Sequence, residues 1–366
     1  MSLVKANGAG EVSTGFYNGV ITSSCRFNGS TSKLVSPAFS SDLGNTWTWS
    51  AWVKFTNQTS DRRGTLFNVV GQNASLYFDN TSQDFLSIND DGAAVRSTSR
   101  VLRDPSSWYH IVLNGNGTLN KLWINGALAT FNTDPNLDDF NTANAHQIGG
   151  SPFGTNYFFD GIMADINFVS ETALDYTAFA ETKNDILIPK EPNVTYGANG
   201  FRLQFEQTGS GADANGIGAD TSGNNNHFTA TGLDSYDVLP DSPENNFPTF
   251  NPLFKTNTGK IAWVNNSITL SEGNLRADLN TGNETQSGAF ATFTVPTSGK
   301  WYWEMLCIAE ASGSIAATGV IEALTGTYVR NQSNTTGRTF AAGDIINIAF
   351  DADNNRIFFG INGTFP

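Results

Sequence analysis

The residues of this chain that could do chemistry are few and scattered. Its three histidines, His110, His146 and His227, lie far apart, and none stands beside a cysteine or a second histidine at metal-ligand spacing. His110 falls inside an alternating run, on the side of Trp108 and Val112, which is the position of a hydrogen-bonded core histidine. The sequence contains no Gly-x-Ser-x-Gly elbow, phosphate loop or strand-borne Gly-x-Gly-x-x-Gly, and Gly209-Ser210-Gly211 is too short to stand in for one. Glycoside hydrolysis by a retaining route needs two carboxylates about 5–5.5 Å apart, so a strand should carry acids at alternate positions. No such array occurs. Asp160 and Asp165 differ by an odd number of residues and are expected on opposite faces, while Glu304 stands alone beside Trp303.

Hard cations want clustered oxygen ligands, and two loops offer them: Asn89-Asp90-Asp91 and Asp134-Pro135-Asn136-Leu137-Asp138-Asp139. They are the acidic loops best placed to meet at one rim of a β-structure. Neither follows the EF-hand pattern, and both read first as solvated turns, so no cofactor is expected and calcium is the one ion with donors to hand. Tyr157 or Phe153, near these loops, would suit stacking on a sugar ring. The candidate ligand contacts are therefore Asp90, Asp91, Asp138, Asp139 and Tyr157, with no catalytic and no metal residue assigned.

The elements that would position them are strands. Two stretches end in the same device, a strand running into Asn-Gly: Lys121-Leu122-Trp123-Ile124-Asn125-Gly126 and Ile357-Phe358-Phe359-Gly360-Ile361-Asn362-Gly363. Asn-Gly supplies the two positive-φ residues of a type I′ turn, whose twist matches that of paired strands. From Trp47 to Phe55 the side chains alternate, placing Trp47, Trp49, Ala51, Val53 and Phe55 on one face and Thr48, Ser50, Trp52 and Lys54 on the other. Trp52 on that polar face is expected under a covering loop. Further strands are predicted over 64–70, 76–78, 85–88, 108–113, 122–124 and 158–168, and Ser24 to Leu34 reads as a strand broken by the Asn28-Gly29 turn. Leu174 to Glu181 is expected as one short packing helix.

Residues 189–256 are rich in Pro, Gly and Asn and resist regular structure, except Phe201-Arg202-Leu203-Gln204-Phe205, which alternates and should return a strand to the first sandwich. Beyond 257 a second aromatic β-unit follows, with strands predicted over 290–295, 300–305, 344–351 and 357–361. The division predicted is an arm at 1–18, a jelly roll at 19–205, a connector at 206–256 and a second sandwich at 257–366. Since the closing Asn-Gly falls three residues before Pro366, the partner strand of that hairpin is expected from further chain or from another molecule.

Composition agrees with this. In 366 residues there are 36 Gly, 27 Phe and 8 Trp, enough for two aromatic cores joined by many turns. Cys25 and Cys307 fall in different predicted domains and read as buried thiols, not a disulfide. The N-terminus has no apolar signal-peptide core and no long apolar run occurs, so neither export by a cleaved signal nor membrane insertion is expected. Sites such as Asn57, Asn73 and Asn80 match Asn-x-Ser/Thr but read as polar loops. A net charge of −14, without a basic cluster larger than Arg62-Arg63, argues against nucleic acid as a partner.

The runs Phe27-Asn28-Gly29, Thr48-Trp49-Ser50-Ala51-Trp52-Val53, Trp108-Tyr109-His110 and Leu122-Trp123-Ile124-Asn125-Gly126 resemble the laminin-G-like, or concanavalin A-like, jelly roll. More narrowly, the ordered motifs Ser2-Leu3-Val4-Lys5-Ala6-Asn7-Gly8, Asp104-Pro105-Ser106-Ser107-Trp108-Tyr109-His110, Leu174-Asp175, Asp220-Thr221-Ser222-Gly223-Asn224-Asn225-Asn226 and Asp241-Ser242-Pro243-Glu244-Asn245-Asn246-Phe247 resemble virion proteins of tailed bacteriophages, many of them marine. Lys300-Trp301-Tyr302-Trp303-Glu304 with Gly343-Asp344-Ile345 is similar to a SPRY sandwich, whose pattern stops before the sandwich is complete. The fold class expected is all-β, with two β-sandwiches. The resemblance implies a virion surface protein, a fibre, spike or capsid decoration at the virion surface, that touches host glycan or neighbouring virion proteins through loops. It implies a homo-oligomer, a trimer in the first instance, and no enzyme. A structural cement that binds no sugar is the alternative, and a polysaccharide-degrading jelly roll comes third.

Overall fold

The computed structural model describes residues 2–5, 16–39, 41–56, 63–72, 74–79, 85–90, 93–96, 102–117, 120–133, 135, 137–150, 157–253, 268–279, 289–295, 297–309, 317–321, 328–332 and 340–365. In chain order the strands begin β1 (Ser2–Lys5), β2 (Ser24–Asn28), β3 (Lys33–Val35), β4 (Thr46–Phe55), β5 (Arg63–Val69), β6 (Ser75–Asp79), β7 (Phe85–Asp90), β8 (Ala93–Arg96) and β9 (Tyr109–Asn116). They continue with β10 (Lys121–Ile124), β11 (Ala127–Ala129), β12 (His146–Ile148), β13 (Asp160–Ser170), β14 (Ala180–Lys183), β15 (Ile186–Pro189), β16 (Phe201–Leu203), β17 (Thr229–Thr231) and β18 (Val238–Leu239). The remainder are β19 (Ile268–Ser271), β20 (Arg276–Leu279), β21 (Lys300–Leu306), β22 (Ala317–Ile321), β23 (Tyr328–Gln332), β24 (Ile345–Asp351) and β25 (Arg356–Ile361). Helix is confined, among the described residues, to short 3-10 turns such as Asp138–Phe140, Tyr176–Ala178 and Ser235–Asp237. The protein is all-β, as its alternation requires.

Two compact units result: Val12–Asn246 with Ser271–Gly273, and Met1–Glu11 with Phe247–Leu270 and Asn274–Pro366. The first holds an eight-stranded sheet in the order β11-β10-β9-β4-β13-β2-β18, with β16 also on β13, and a seven-stranded sheet in the order β17-β3-β12-β5-β6-β7-β8. Between them lies an aromatic core. Trp47, Trp49, Ala51, Val53 and Phe55 all point into it, as the alternation of β4 predicts. Trp47 stacks on Phe140 and Phe168, Trp49 on Phe67, and Phe168 on Phe201, with ring centroids 5.0 to 5.9 Å apart. Each such ring removes about 150–250 Å² from water, so this core needs no cross-link, and both cysteines are buried free thiols.

Three local expectations change. Asn28-Gly29 does not close a hairpin, because β2 lies in the eight-stranded sheet and β3 in the seven-stranded one. The Asn28 side-chain oxygen instead accepts the backbone N–H groups of Ser30, Thr31 and Ser32, and so turns the chain from one layer to the other. Leu174 to Glu181 is a 3-10 turn running into β14, not a helix, since Asp175 caps the turn by accepting from Thr177 N and Ala180 already pairs with Pro189. Residues 290–295 form no strand, only a single bridge from Ala291 to Phe250.

The stretch read as a connector at 206–256 instead belongs, up to Asn246, to the first unit. β17 pairs with β3 and β18 with β2, and Ile217 and Phe228 lie in the core. Polar composition concealed this because few apolar side chains anchor a segment that is otherwise held by hydrogen bonds. The returning strand expected over 201–205 is β16, paired with β13 through Phe201↔Phe168 and Leu203↔Ile166.

The second unit contains a sheet in the order β1-β21-β24-β25 and two separate hairpins, β19-β20 and β22-β23. The backbone of Ser2–Lys5, inside the segment read as an arm, is thus a strand on β21. One sheet face gathers Trp303, Ile346, Ile348 and Phe359, with Met305, Phe350, Ile357 and Ile361 around them. Residues Ile357 to Ile361 are paired along their length with β24. At Asn362 (φ 51°) and Gly363 (φ 81°) the chain turns as a type I′ turn requires, and Asn125 (φ 50°) and Gly126 (φ 74°) do the same between β10 and β11.

Candidate functional site

A sandwich of this kind can present a ligand on an outer sheet face or on its rims. The outer face of the eight-stranded sheet carries Thr48, Ser50, Trp52 and Lys54 from β4, His110 and Val112 from β9 and Trp123 from β10, which is a promising inventory. It is covered by the protein's own chain. Trp52 packs with Ile21, Trp108, Ile162, Ala164 and Ala180, and Val112 and Trp123 pack with Val169 and Phe179 under Leu174, Tyr176 and Tyr196. Trp52 is therefore buried under a cover, as expected.

Ion pairs and hydrogen bonds fasten the cover. Lys54 is fully buried, and its Nζ donates to Asp241 Oδ2 (2.9 Å) and Asn246 Oδ1 (2.8 Å). Trp108 Nε1 donates to the other Asp241 oxygen (3.2 Å), and Asn246 Nδ2 donates to the Ser106 carbonyl. Burial pushes the Lys54 ammonium below its ordinary pKa, with the Asp241 carboxylate drawing it back. Glu244 accepts the backbone N–H groups of Asn18, Gly19 and Ile21, which ties the incoming chain to the same patch. Asp104 accepts from Ser106 and Ser107; burial works to raise its carboxyl, but these donors outweigh it and hold the pKa below the usual range.

A second knot surrounds Arg202. Its Nε donates to Asp165 (2.8 Å) and its two terminal nitrogens to Glu191, while its backbone N–H meets Asp220. Burial disfavours the guanidinium's charge, yet the two carboxylates overcome this and hold it above its ordinary value. Asp220 also accepts from Ser222 and Asn226, and the side chains of Asn224 and Asn226 donate to carbonyls at Gly197, Ala198 and Gly200. The motif 220–226 is thus a loop lock. So are 104–107 and 241–246, which fasten the cover at Lys54 and Trp108.

The acids of β13 differ from expectation. Its pairing with β4 slips between Ala164 and Asn167, a β-bulge at which Asp165 takes φ 45°. The extra residue reverses the alternation: Met163 faces the core before it and Ile166 and Phe168 after it, with Ile162, Ala164 and Val169 outside. Asp160 and Asp165 consequently project to the same face, not to opposite ones. They remain several residues apart along the strand, on the order of 15 Å, too far for a glycosidase pair. Asp160 accepts from Gly273 N (3.0 Å) and Asp165 is bound to Arg202. Glu304 is not alone either, since it accepts from Tyr302 and Asn347.

The histidines are structural. His110 Nε2 lies 3.0 Å from Ser50 Oγ under the stacked Trp52 ring, and His146 sits among Phe39, Phe67, Phe168 and Phe201. Burial pushes both down to a pKa of about 3. His227 Nδ1 accepts the Asp220 backbone N–H.

The rim candidates are split between two ends. Asp138 and Asp139 begin the 3-10 turn that precedes β12, where Asp138 accepts from Asn45 next to the start of β4. Asp90 ends β7 at that same rim, but β5 and β6 stand between, a separation of about 14 Å at the usual strand spacing. Tyr157 precedes β13 at the opposite rim, beside the end of β4. Asp91, Phe153, Asp134 and Asn136 lie outside the described residues. Among the described residues no three His, Cys, Asp or Glu side chains converge as metal ligands. Sequence reading missed Tyr236, which is 81% exposed on the turn Ser235–Asp237. Asp234 and Asp237 cap that turn reciprocally and Asp237 is bound by Arg26 (2.7 Å), so the backbone that carries the ring is fastened. The Asp234-x-x-Asp237 spacing was the available signal.

Residues 28–175 match the profile of the concanavalin A-like lectin/glucanases superfamily. The first unit contains a concanavalin A-like domain. Solved structures similar to the chain include the heptameric SAP-like pentraxin of Limulus polyphemus, at 14% identity and TM-score 0.34 over 43% of this chain and 79% of that one. The CBM40 of the Ruminococcus gnavus IT-sialidase, bound to α2,3-sialyllactose, has 17% identity and TM-score 0.25 over 36% and 89%. The enzymatically active domain of tailspike protein 2 from bacteriophage CBA120 has 11% identity and TM-score 0.29 over 38% and 24%. No curated protein matches the chain.

Proposed function

We propose that the chain is a non-enzymatic surface protein of a tailed-phage virion, a fibre, spike or capsid decoration, that touches host glycan or neighbouring virion proteins with its concanavalin A-like domain and a SPRY-like second sandwich. The observation that carries this reading is the fastened cover over the outer face of the eight-stranded sheet. The acids nearest that face are held by Lys54, Arg202 and backbone donors, so on the first unit the described surface left for contact is made of rims and turns such as the one bearing Tyr236. Of the ordered motifs that resemble phage virion proteins, 104–110 and 241–247 contain residues that fasten the cover, which supports a shared scaffold.

Weak contacts become useful by repetition, since linked sites can gain on the order of 10²–10⁴ in avidity. A homo-oligomer, a trimer first, follows from that logic. The test is competition: purified protein added to host cells should block adsorption of the phage that carries it, without releasing reducing sugar from host polysaccharide. Released sugar would establish an enzyme. Unblocked adsorption, with particles that fall apart when the gene is deleted, would establish structural cement.

A further inference from the structure

The polar face of the β21-β24-β25 sheet is shaped as a notch. Direct pairing across the three strands aligns Tyr302, Ala349 and Phe358 in one row and Glu304, Asn347 and Gly360 in the next. Directly paired residues share a face, so Tyr302 and Phe358 stand as two walls about 10 Å apart, two strand spacings, with only a methyl group between them. In the second row Gly360 leaves room that the Phe365 ring occupies, its edge 3.2 Å from where a Cβ would sit. Phe358 is 48% and Phe365 40% exposed, although strands of this sheet bury large aromatics readily on their other side.

At the floor, Asn347 Nδ2 donates to Tyr302 Oη (2.7 Å) and to Glu304 Oε1 (3.1 Å), and its own Oδ1 accepts from Gly363 N (2.8 Å). The phenol, the carboxylate and the amide are thus set in place before any ligand arrives. Two exposed rings around a small-residue floor, with a few fixed polar groups at one end, match a sugar: an amphipathic ring that stacks its C–H face and hydrogen-bonds its rim. The carboxylate, on a chain of net charge −14, selects against acidic sugars.

We infer that this notch, lined by Tyr302, Glu304, Asn347, Ala349, Phe358 and Phe365, binds a neutral hexose unit of a glycan. The inference rests on the adhesive reading only for the class of ligand; its location, in the second unit, is independent of it.

The test is calorimetric titration of the full chain with maltohexaose, cellohexaose and laminarihexaose, and with 3′-sialyllactose as the acidic counterpart. At least one neutral hexasaccharide should bind. Phe358→Ala, which removes a wall, and Ala349→Leu, which fills the floor, should each weaken it about tenfold or more, and 3′-sialyllactose should bind more weakly than the neutral sugar. Because Phe358 is largely exposed, its variant should retain the wild-type melting temperature. Binding that survives both substitutions overturns the notch, and if it is then lost in Tyr236→Ala the adhesive reading stands with its site elsewhere. Absence of binding to every neutral hexasaccharide also overturns the notch, while competition for phage adsorption judges the adhesive reading separately.

Discussion

The outer face of the eight-stranded sheet and the polar face of β21-β24-β25 begin from the same material and end differently. Both come from alternating strands with an aromatic set among polar side chains: Trp52 and Trp123 in the first, Tyr302 and Phe358 in the second. In the first unit the chain returns over that face and fastens itself through Lys54, Asp241 and Arg202. In the second, the rings stay open and the polar groups satisfy one another. An aromatic on the polar side of a strand is thus a packing residue at Trp52 and Trp123, where a later segment covers it, while Phe358 is 48% exposed.

The comparison breaks most visibly at its charges. Replacing Asp241 by Ala leaves the Lys54 ammonium buried without its counter-ion and should destabilise the first unit by about 3–5 kcal/mol, measured by urea unfolding. Converting the pair together, as Lys54→Met with Asp241→Leu, should recover most of that loss. A comparable effect is expected from Trp52→Ala, about 3–5 kcal/mol, because a buried aromatic leaves a cavity. Phe358→Ala on the open face should change stability by no more than about 0.5 kcal/mol, and a larger loss would mean that this face is covered too.

Acid should separate the two units. His110 and His146 are held neutral in the fold with pKa values of about 3, against the ordinary 6.5. Below about pH 6.5 the unfolded chain binds protons that the folded one refuses, so stability falls as pH drops from about 6.5 towards 3, by up to roughly 1.4 kcal/mol per pH unit for each histidine. Both lie in the first unit, and near-ultraviolet circular dichroism against pH should show its transition weakened in His146→Phe. A smaller effect is expected from Tyr196→Phe, which removes the hydrogen bond from Tyr196 Oη to Asn167 Oδ1 (2.6 Å) and should cost about 1 kcal/mol.

Much of the fold was legible because a half-buried strand writes its period directly: every inward residue of β4 and the turns at Asn125-Gly126 and Asn362-Gly363 followed from alternation and positive φ alone, whereas Asn28-Gly29 joins two layers. The reading failed where one residue was inserted, since a bulge at Asp165 reverses the face of everything after it and leaves no mark in composition. It failed again at 206–246, where backbone and carboxamide hydrogen bonds do what apolar periodicity does elsewhere. The candidate site was hardest, because exposure depends on what other segments lie above a residue. Asp138 and Tyr157 are near in sequence and at opposite rims, while Tyr302, Asn347 and Phe358 are far apart in sequence and adjacent across three strands.

The hydrogen bond from Lys54 to Asp241 spans 187 positions of sequence. During synthesis, strands β4 to β13 would leave the ribosome with Trp52, Trp123 and Lys54 still bare; the segment over Trp123 follows with Leu174 to Tyr196, and the partners of Lys54 only with Asp241 and Asn246. Contacts of such long range close late and slowly, and partly finished chains are prone to stick to one another. Fragments cut anywhere between Ser170 and Asp241 should therefore precipitate or recruit chaperones even though β4, β9, β10 and β13 are present, so expression trials should keep this whole span intact.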